Sequence, residues 1–270
     1  MCTLDRAVFD RFRQIVYSAS GISLNEKKEA LVSARVAKRM RALGISDHGA
    51  YLAHVEDDTS GEEIVLLLDA ISTNLTHFFR ENHHFEILRT QMEQWIAQGQ
   101  RRFRFWSAGC STGEEPYSIA MTVSESTTGG GFDTRILATD LSTRVLHKCL
   151  EGVYEEKRVK DVPPMLRQKY FEKSGTGQNA TFRVKEILRK TILFKRLNLS
   201  VVPYPMQGPM DAIFCRNVMI YFDNEVRRIL LQEFFRLLKP GGYLFVGHAE
   251  SLTGILSGFR SVMPSVYIKP

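Results

Sequence analysis

The chain has 270 residues, 44% apolar and 24% charged, a globular composition that excludes a disordered tail and leaves room for one large domain or two unequal ones. An excess of 36 Lys and Arg over 30 Asp and Glu gives a formal charge of +6, which suits an anionic partner without choosing between nucleic acid, acidic membrane and acidic protein. No apolar run approaches the roughly 18–20 residues of a membrane span, and the N-terminus lacks the apolar core of a secretory signal, so the expected location is the cytoplasm.

The first seventy residues carry helical periodicity and no strand pattern. Residues 5–18 place Val8, Phe9, Phe12, Ile15 and Val16 three or four apart, an amphipathic helix. A break at Gly21–Asn25 precedes a second helix over about 26–43, and residues 46–56 and 61–71 predict two shorter ones, with Ser46 as a candidate N-cap. Projected at about 100° per residue, the second helix gathers Lys27, Lys28, Arg35, Lys38 and Arg39 within an arc of roughly 120°. Val32, Val36, Met40 and Leu43 lie opposite. The basic arc is either a solvated face or a docking strip for an acidic partner, and Lys28, Arg35, Lys38 and Arg39 are the candidate docking residues.

From about residue 101, strands alternate with helices. Strands are predicted at 103–107, 134–139, 191–196, 211–215 and 243–247, with further strand pairing over 262–269. Helices are predicted from Pro116 and from Asp223, which can serve as an N-cap. Repeated β-α-β units mean a mostly parallel sheet covered on both faces. Residues 151–190 break the rhythm with Pro163-Pro164 and a Gly-rich turn over 174–179 between two short strand-like runs, the pattern of an inserted hairpin.

In an open α/β sheet the ligand sits beyond the carboxyl ends of the strands. The first strand runs into Ser107-Ala-Gly109-Cys-Ser-Thr-Gly113-Glu-Glu115-Pro116, where glycine allows close backbone approach to a ligand. The second ends at Asp140, whose carboxylate can accept hydrogen bonds from the two hydroxyls of a ribose. Neither G-x-x-x-x-G-K-[ST] nor G-x-G-x-x-G occurs, which disfavours a P-loop or a standard dinucleotide site and leaves S-adenosylmethionine as the favoured adenosine-type cofactor. Cys2, Cys110, Cys149 and Cys215 lack C-x-x-C spacing, and His83-His84 is the one close histidine pair in the sequence. No metal is expected.

Four segments together resemble one family: Ser72-Thr-Asn74-Leu-Thr76-His-Phe-Phe-Arg80-Glu81, Ser107–Ser118, Phe214-Cys-Arg216-Asn217-Val-Met-Ile-Tyr221-Phe-Asp223 and Leu238-Lys-Pro-Gly-Gly242. They are similar to the chemoreceptor glutamate methyltransferases of bacterial chemotaxis, the CheR family, in the same order and over almost the whole chain. The resemblance implies an α/β fold: a class I, Rossmann-like methyltransferase domain (91–270) with a small antiparallel β-subdomain inserted at about 165–190. An all-α domain (1–72) and a linker (73–90) contributing to the cofactor site would precede it. It further implies methyl transfer from S-adenosylmethionine, with S-adenosylhomocysteine as product, to receptor glutamates. Asn74, Thr76 and Arg80 would close over the cofactor from the linker. Gly109, Glu115 and Asp140 would hold it from the sheet, Asn198 and Leu199 would take the adenine, and Arg216 and Asn217 would complete the pocket. Arg80 and Tyr221 would sit nearest the transferring methyl and the acceptor carboxylate. The implied partners are the helical cytoplasmic bundles of chemoreceptors, met by a monomer recruited to receptor arrays, with a receptor C-terminal peptide as a candidate ligand of the β-subdomain.

Two other readings compete. A nucleic-acid methyltransferase would suit the charge, with Cys215 as a conceivable nucleophile, but no [NDS]-P-P-[YF] turn follows the fourth strand. A non-catalytic cofactor-binding adaptor would not need the intact set Asn74, Arg80, Asp140 and Asn217.

Overall fold

A computed structural model describes residues 5–25, 29–72, 74–252, 254–255 and 258–270. Lys28, one of the four candidate docking residues, lies outside them. Helices α1 (Arg6–Ser20), α2 (Glu29–Leu43), α3 (His48–Asp57) and α4 (Glu62–Ile71) make the N-terminal domain. Asp5 caps α1 by accepting from the Ala7 amide. Asp47, one residue beyond the expected Ser46, caps α3 by accepting from Ala50. The apolar stripes of the four helices meet in one core built on Phe9, Phe12, Val16, Val32, Val36, Met40, Tyr51 and Leu67.

Two cations of the predicted basic strip on α2, Arg35 and Arg39, also hold contacts within the helical domain. Glu63 is 5% exposed on α4, and a buried carboxylate needs a cation and donors to offset its desolvation. Arg39 supplies two parallel contacts, Nε at 2.8 Å and Nη2 at 2.5 Å, while the Tyr51 hydroxyl donates at 2.7 Å. Arg35 donates to the carbonyls of Ile71 and Ser72 at the C-terminal end of α4, where helix carbonyls lack intrahelical partners. Lys38 alone of the described docking candidates points outward.

The rest of the chain folds as α5 (His83–Ala97), β1 (Arg102–Ala108), α6 (Glu114–Ser126), β2 (Asp133–Asp140), α7 (Thr143–Glu151), β3 (Val153–Glu155), α8 (Glu156–Val159), α9 (Pro164–Tyr170), β4 (Phe171–Ser174), β5 (Thr181–Val184), α10 (Glu186–Arg189), β6 (Ile192–Arg196), β7 (Met210–Cys215), α11 (Asn224–Leu237), β8 (Leu238–Val246), β9 (Arg260–Met263) and β10 (Val266–Ile268). The main sheet has the order β6-β2-β1-β7-β8-β10-β9. Its first five strands are parallel and the last two pair antiparallel. All six residues of β7 are buried, as a central strand covered on both faces requires. Between β1 and β7 the order reverses, which opens a crevice at their carboxyl ends.

Three details depart from expectation. The stretch foreseen as a linker to residue 90 contains the start of α5, which buries Phe85, Leu88, Met92 and Trp95 at helical spacing against the sheet. The inserted β-subdomain begins earlier than about 165. It is a three-stranded sheet, β3-β5-β4, whose first strand has only three residues, too few for periodicity to reveal. Lys239-Pro-Gly-Gly242 does more than stop α11: the register passes from Met210↔Leu238 to Ala212↔Tyr243, so these four residues bulge out of the β7–β8 pairing. Lys239 Nζ there reaches Asp211 at 2.6 Å.

Glu63→Ala leaves the Arg39 charge and the Tyr51 hydroxyl without their shared partner. It is expected to cost about 3 kcal/mol in urea unfolding, whereas removing the exposed Arg6–Asp10 pair through Arg6→Ala leaves the urea midpoint essentially unchanged.

Candidate active site

A cavity of about 1230 Å3, including its open mouth, lies at the β1/β7 reversal. Its floor is the ends of β1, β2, β6 and β7: Gly109 to Ser111, Asp140, Leu197 to Leu199, and Arg216 to Val218. The linker supplies one wall through Asn74, Leu75, Thr76 and Arg80, and the helical domain supplies a roof through Ile22, Leu24, Val32 and Arg35. That roof is anchored. Ile22 bridges to Phe222, the Ser23 amide donates to the Tyr221 carbonyl at 2.8 Å, and the Tyr17 hydroxyl donates to Asp223 at 2.7 Å.

Gly109 turns the chain at φ 89°, and its amide and that of Cys110 both donate to the Thr139 carbonyl at 2.8 Å. A Cβ at residue 109 would come within 2.4 Å of Val218, so only glycine lets the loops after β1 and β7 approach this closely. The Asp140 carboxylate is held by the amides of Ser111 at 2.8 Å and Ser142 at 3.0 Å. Burial nevertheless pushes its pKa up to about 6, with the nearby Asp69 charge adding to the rise. Asn74 Nδ2 is buried with no hydrogen-bond partner among the described residues, although such a donor is costly to leave unmade. An acceptor carboxylate and an unmet donor in one apolar-lined cavity fit a ligand that carries both hydroxyls and acceptor groups.

Arg216 joins the walls. It is 6% exposed. Nε donates to Glu115 Oε2 at 2.7 Å, and Nη1 donates to the Arg80 carbonyl at 2.6 Å and to His84 Nδ1 at 3.0 Å. Glu115 also accepts from the Ser107 hydroxyl at 2.7 Å. A guanidinium can only donate, so His84 Nδ1 is the acceptor and its proton sits on Nε2, which donates to Ser265 Oγ at 2.8 Å. Burial and the Arg216 charge push His84 down to about 2, which keeps it neutral. Glu81 completes the group, 3.7 Å from Arg216.

The loop after β7 is shaped by a residue the motif reading missed. Glu250 accepts from the amides of Asn217 at 2.6 Å, Ile220 at 3.2 Å and Gly247 at 2.7 Å. With that support Asn217 takes φ 61°. Phe79, Glu81, Ser111 and Ser265 are the other non-glycine residues with left-handed φ among those described. All five lie on the cavity wall or beside the Arg216 group, where unusual backbone geometry concentrates at functional sites.

Asn74, Thr76, Arg80, Gly109, Glu115, Asp140, Asn198, Leu199, Arg216, Asn217 and Tyr221 all line this one cavity. Three have more specific placements than sequence reasoning assigned. Glu115 and Arg216 are paired with each other. Asn198 has its amide engaged, Nδ2 donating to the Ala19 carbonyl and Oδ1 accepting from Ser200, so its approach to a ligand is by backbone and stem. Arg35, foreseen on an outer docking face, lines the roof instead. Glu250, His84 and the roof residues were not foreseen; the carboxylate in His248-Ala-Glu250, just past a strand end, was the available signal.

The model of the CheR methyltransferase all-alpha domain matches residues 7–72, and that of the CheR methyltransferase SAM binding domain matches residues 74–268. A chemotaxis protein methyltransferase of Borreliella burgdorferi is 40% identical over 266 residues, covering 96% of this chain and 93% of that protein. Chemotaxis protein methyltransferase 2 of Pseudomonas aeruginosa is 41% identical, covering 97% and 92%. The Salmonella typhimurium chemotaxis protein methyltransferase is 39% identical, covering 98% and 90%.

An ionised Asp140 is the stronger acceptor for a pair of ligand hydroxyls, so affinity for S-adenosylhomocysteine is expected to fall as pH drops through about 6 and to level off above about 7. Calorimetric titration between pH 5 and 8 checks this. Asp140→Asn should weaken binding by about 2 kcal/mol and flatten the profile.

Proposed function

From the premise that the chain belongs to the CheR methyltransferase family, we propose that this S-adenosylmethionine-dependent methyltransferase esterifies glutamate side chains of chemoreceptors. The observation that carries the reading is a single cavity shared by a ribose-type acceptor, Asp140, and two donors suited to an incoming carboxylate, Arg80 and Tyr221.

A glutamate side chain has an unperturbed pKa near 4.3, so at neutral pH it is already an ionised nucleophile and needs no general base. The bound cofactor supplies an activated methyl on a sulfonium, a strong leaving group. What remains for the protein is orientation and exclusion of water, which can lower the barrier by several kcal/mol. Arg80 uses one Nη1 contact on the Leu75 carbonyl at 2.9 Å, and its other guanidinium hydrogens can hold a carboxylate in a fixed plane. Tyr221 lines the same cavity, and its phenol is a donor type that suits a carboxylate oxygen. The roof from the helical domain excludes solvent from the adenosine end.

Recruitment to receptor arrays, as a monomer, is part of the proposal. The β-subdomain presents two edge strands, β3 and β4, and Glu172, Lys173 and Ser174 on β4 are exposed. Such an edge can pair with an extended receptor C-terminal peptide. Titration with those peptides tests this arm, and no detectable binding removes it. The nucleic-acid reading lacks its nucleophile: Cys215 is fully buried and burial pushes its thiol well up, so no thiolate forms.

With methyl-labelled cofactor and receptor-enriched membranes, the label is expected in the receptor as base-labile methyl ester. Label in nucleic acid, or none in receptor, overturns the proposal. Arg80→Ala should lower kcat/KM for receptor by about 100-fold or more, and Tyr221→Phe by about tenfold.

A further inference from the structure

Three imidazoles meet behind the Arg216 group although 165 positions separate the first from the last. His83, His84 and His248 have ligand-capable atoms within 4.8 Å of one another. They are not equivalent. Both nitrogens of His84 are engaged, by Arg216 and Ser265. His83 and His248 reach solvent and turn their Nε2 atoms toward each other at 3.3 Å, with ring centroids 4.7 Å apart and planes 32° from parallel.

Two protonated imidazoles at that separation repel, and two neutral ones share a single hydrogen. A metal ion uses both lone pairs. Zn–N bonds of about 2.0–2.1 Å at a tetrahedral angle set two ligand nitrogens about 3.3–3.4 Å apart. The nitrogens of His83 and His248 therefore already stand at the separation that a shared ion imposes. Burial and the neighbouring His248 hold His83 below the ordinary imidazole value. The charged groups facing it are Glu81 and Glu86, which favour a bound cation, and Arg216, which opposes one. Glu81 also ties the two segments together, its Oε1 accepting from the His248 amide at 3.3 Å.

We propose that His83 and His248 form a two-histidine site for a borderline transition-metal ion, Zn2+ or Cu2+, with water completing the coordination. The ion would join the start of α5 to the turn after β8. The first of these segments follows directly on Arg80, and the second carries Glu250, which sets the loop of Asn217. An ion here holds two walls of the cavity in fixed register and touches neither cofactor nor acceptor.

Titrating the full chain with zinc chloride at pH 7.5 is expected to give one site, weakening as the pH falls because protons compete with the ion for ligand nitrogens, with no response to Mg2+. Cu2+ should bind more tightly than Zn2+, and electron paramagnetic resonance of the wild-type copper complex should show coupling to two nitrogens. His83→Ala and His248→Ala should each weaken Zn2+ by more than the roughly 10- to 100-fold that loss of a supporting partner costs. Coupling to fewer than two nitrogens, absence of a binding isotherm, or an unchanged isotherm in the double variant overturns the proposal.

Discussion

The cavity exists because one buried cation is shared among three parts of the chain. Arg216, at the end of β7, holds Glu115 of α6 and the Arg80 carbonyl of the linker, and leans on neutral His84 of α5. A guanidinium almost wholly removed from water is tolerable only where carboxylates and acceptors surround it. Glu115 and Glu81 meet that need, and His84 must stay unprotonated to do so. The electrostatic requirement fixes the linker against the sheet, so Asn74, Thr76 and Arg80 face the cofactor crevice from a segment with little regular structure of its own.

A second buried carboxylate works on the other side. Glu250 gathers three backbone amides from two loops, and burial raises its pKa while those amides pull it down. It acts on the wall of the site through the backbone. Asn217 in a left-handed conformation, Gly109 packed against Val218, and the ring of positive φ values at Phe79, Glu81 and Ser111 show how tightly the crevice is drawn around its ligand space. Rigidity of this kind suits a reaction whose nucleophile and leaving group are reactive enough and need chiefly alignment.

The helical domain has an unexpected part in this arrangement. Two of its cations turn inward, Arg39 to Glu63 and Arg35 to the end of α4, and its α1–α2 loop closes over the crevice through Ile22 and Leu24. Of the described cations on the strip that helical projection suggested, Lys38 is the most exposed.

Much was legible in the sequence because it is written locally. Helix stripes such as Phe9, Phe12 and Val16, the mostly apolar run of β7, the glycine turn after β1 and the carboxylate ending β2 each depend on neighbours within a few positions, and the residues of the ordered motifs line one cavity. Tertiary structure alone decided the rest. Whether Arg35 points to solvent or to the carbonyls ending α4, and Arg39 to solvent or to buried Glu63, is set by a helix some two dozen or more residues away. The pairing of Arg216 with Glu115, the neutral tautomer of His84, the reach of Glu250 and the meeting of His83 with His248 all join groups distant in the chain. Charge and hydrogen-bond partners are chosen by proximity in space after the sheet has formed, and periodicity along the chain carries no record of that choice.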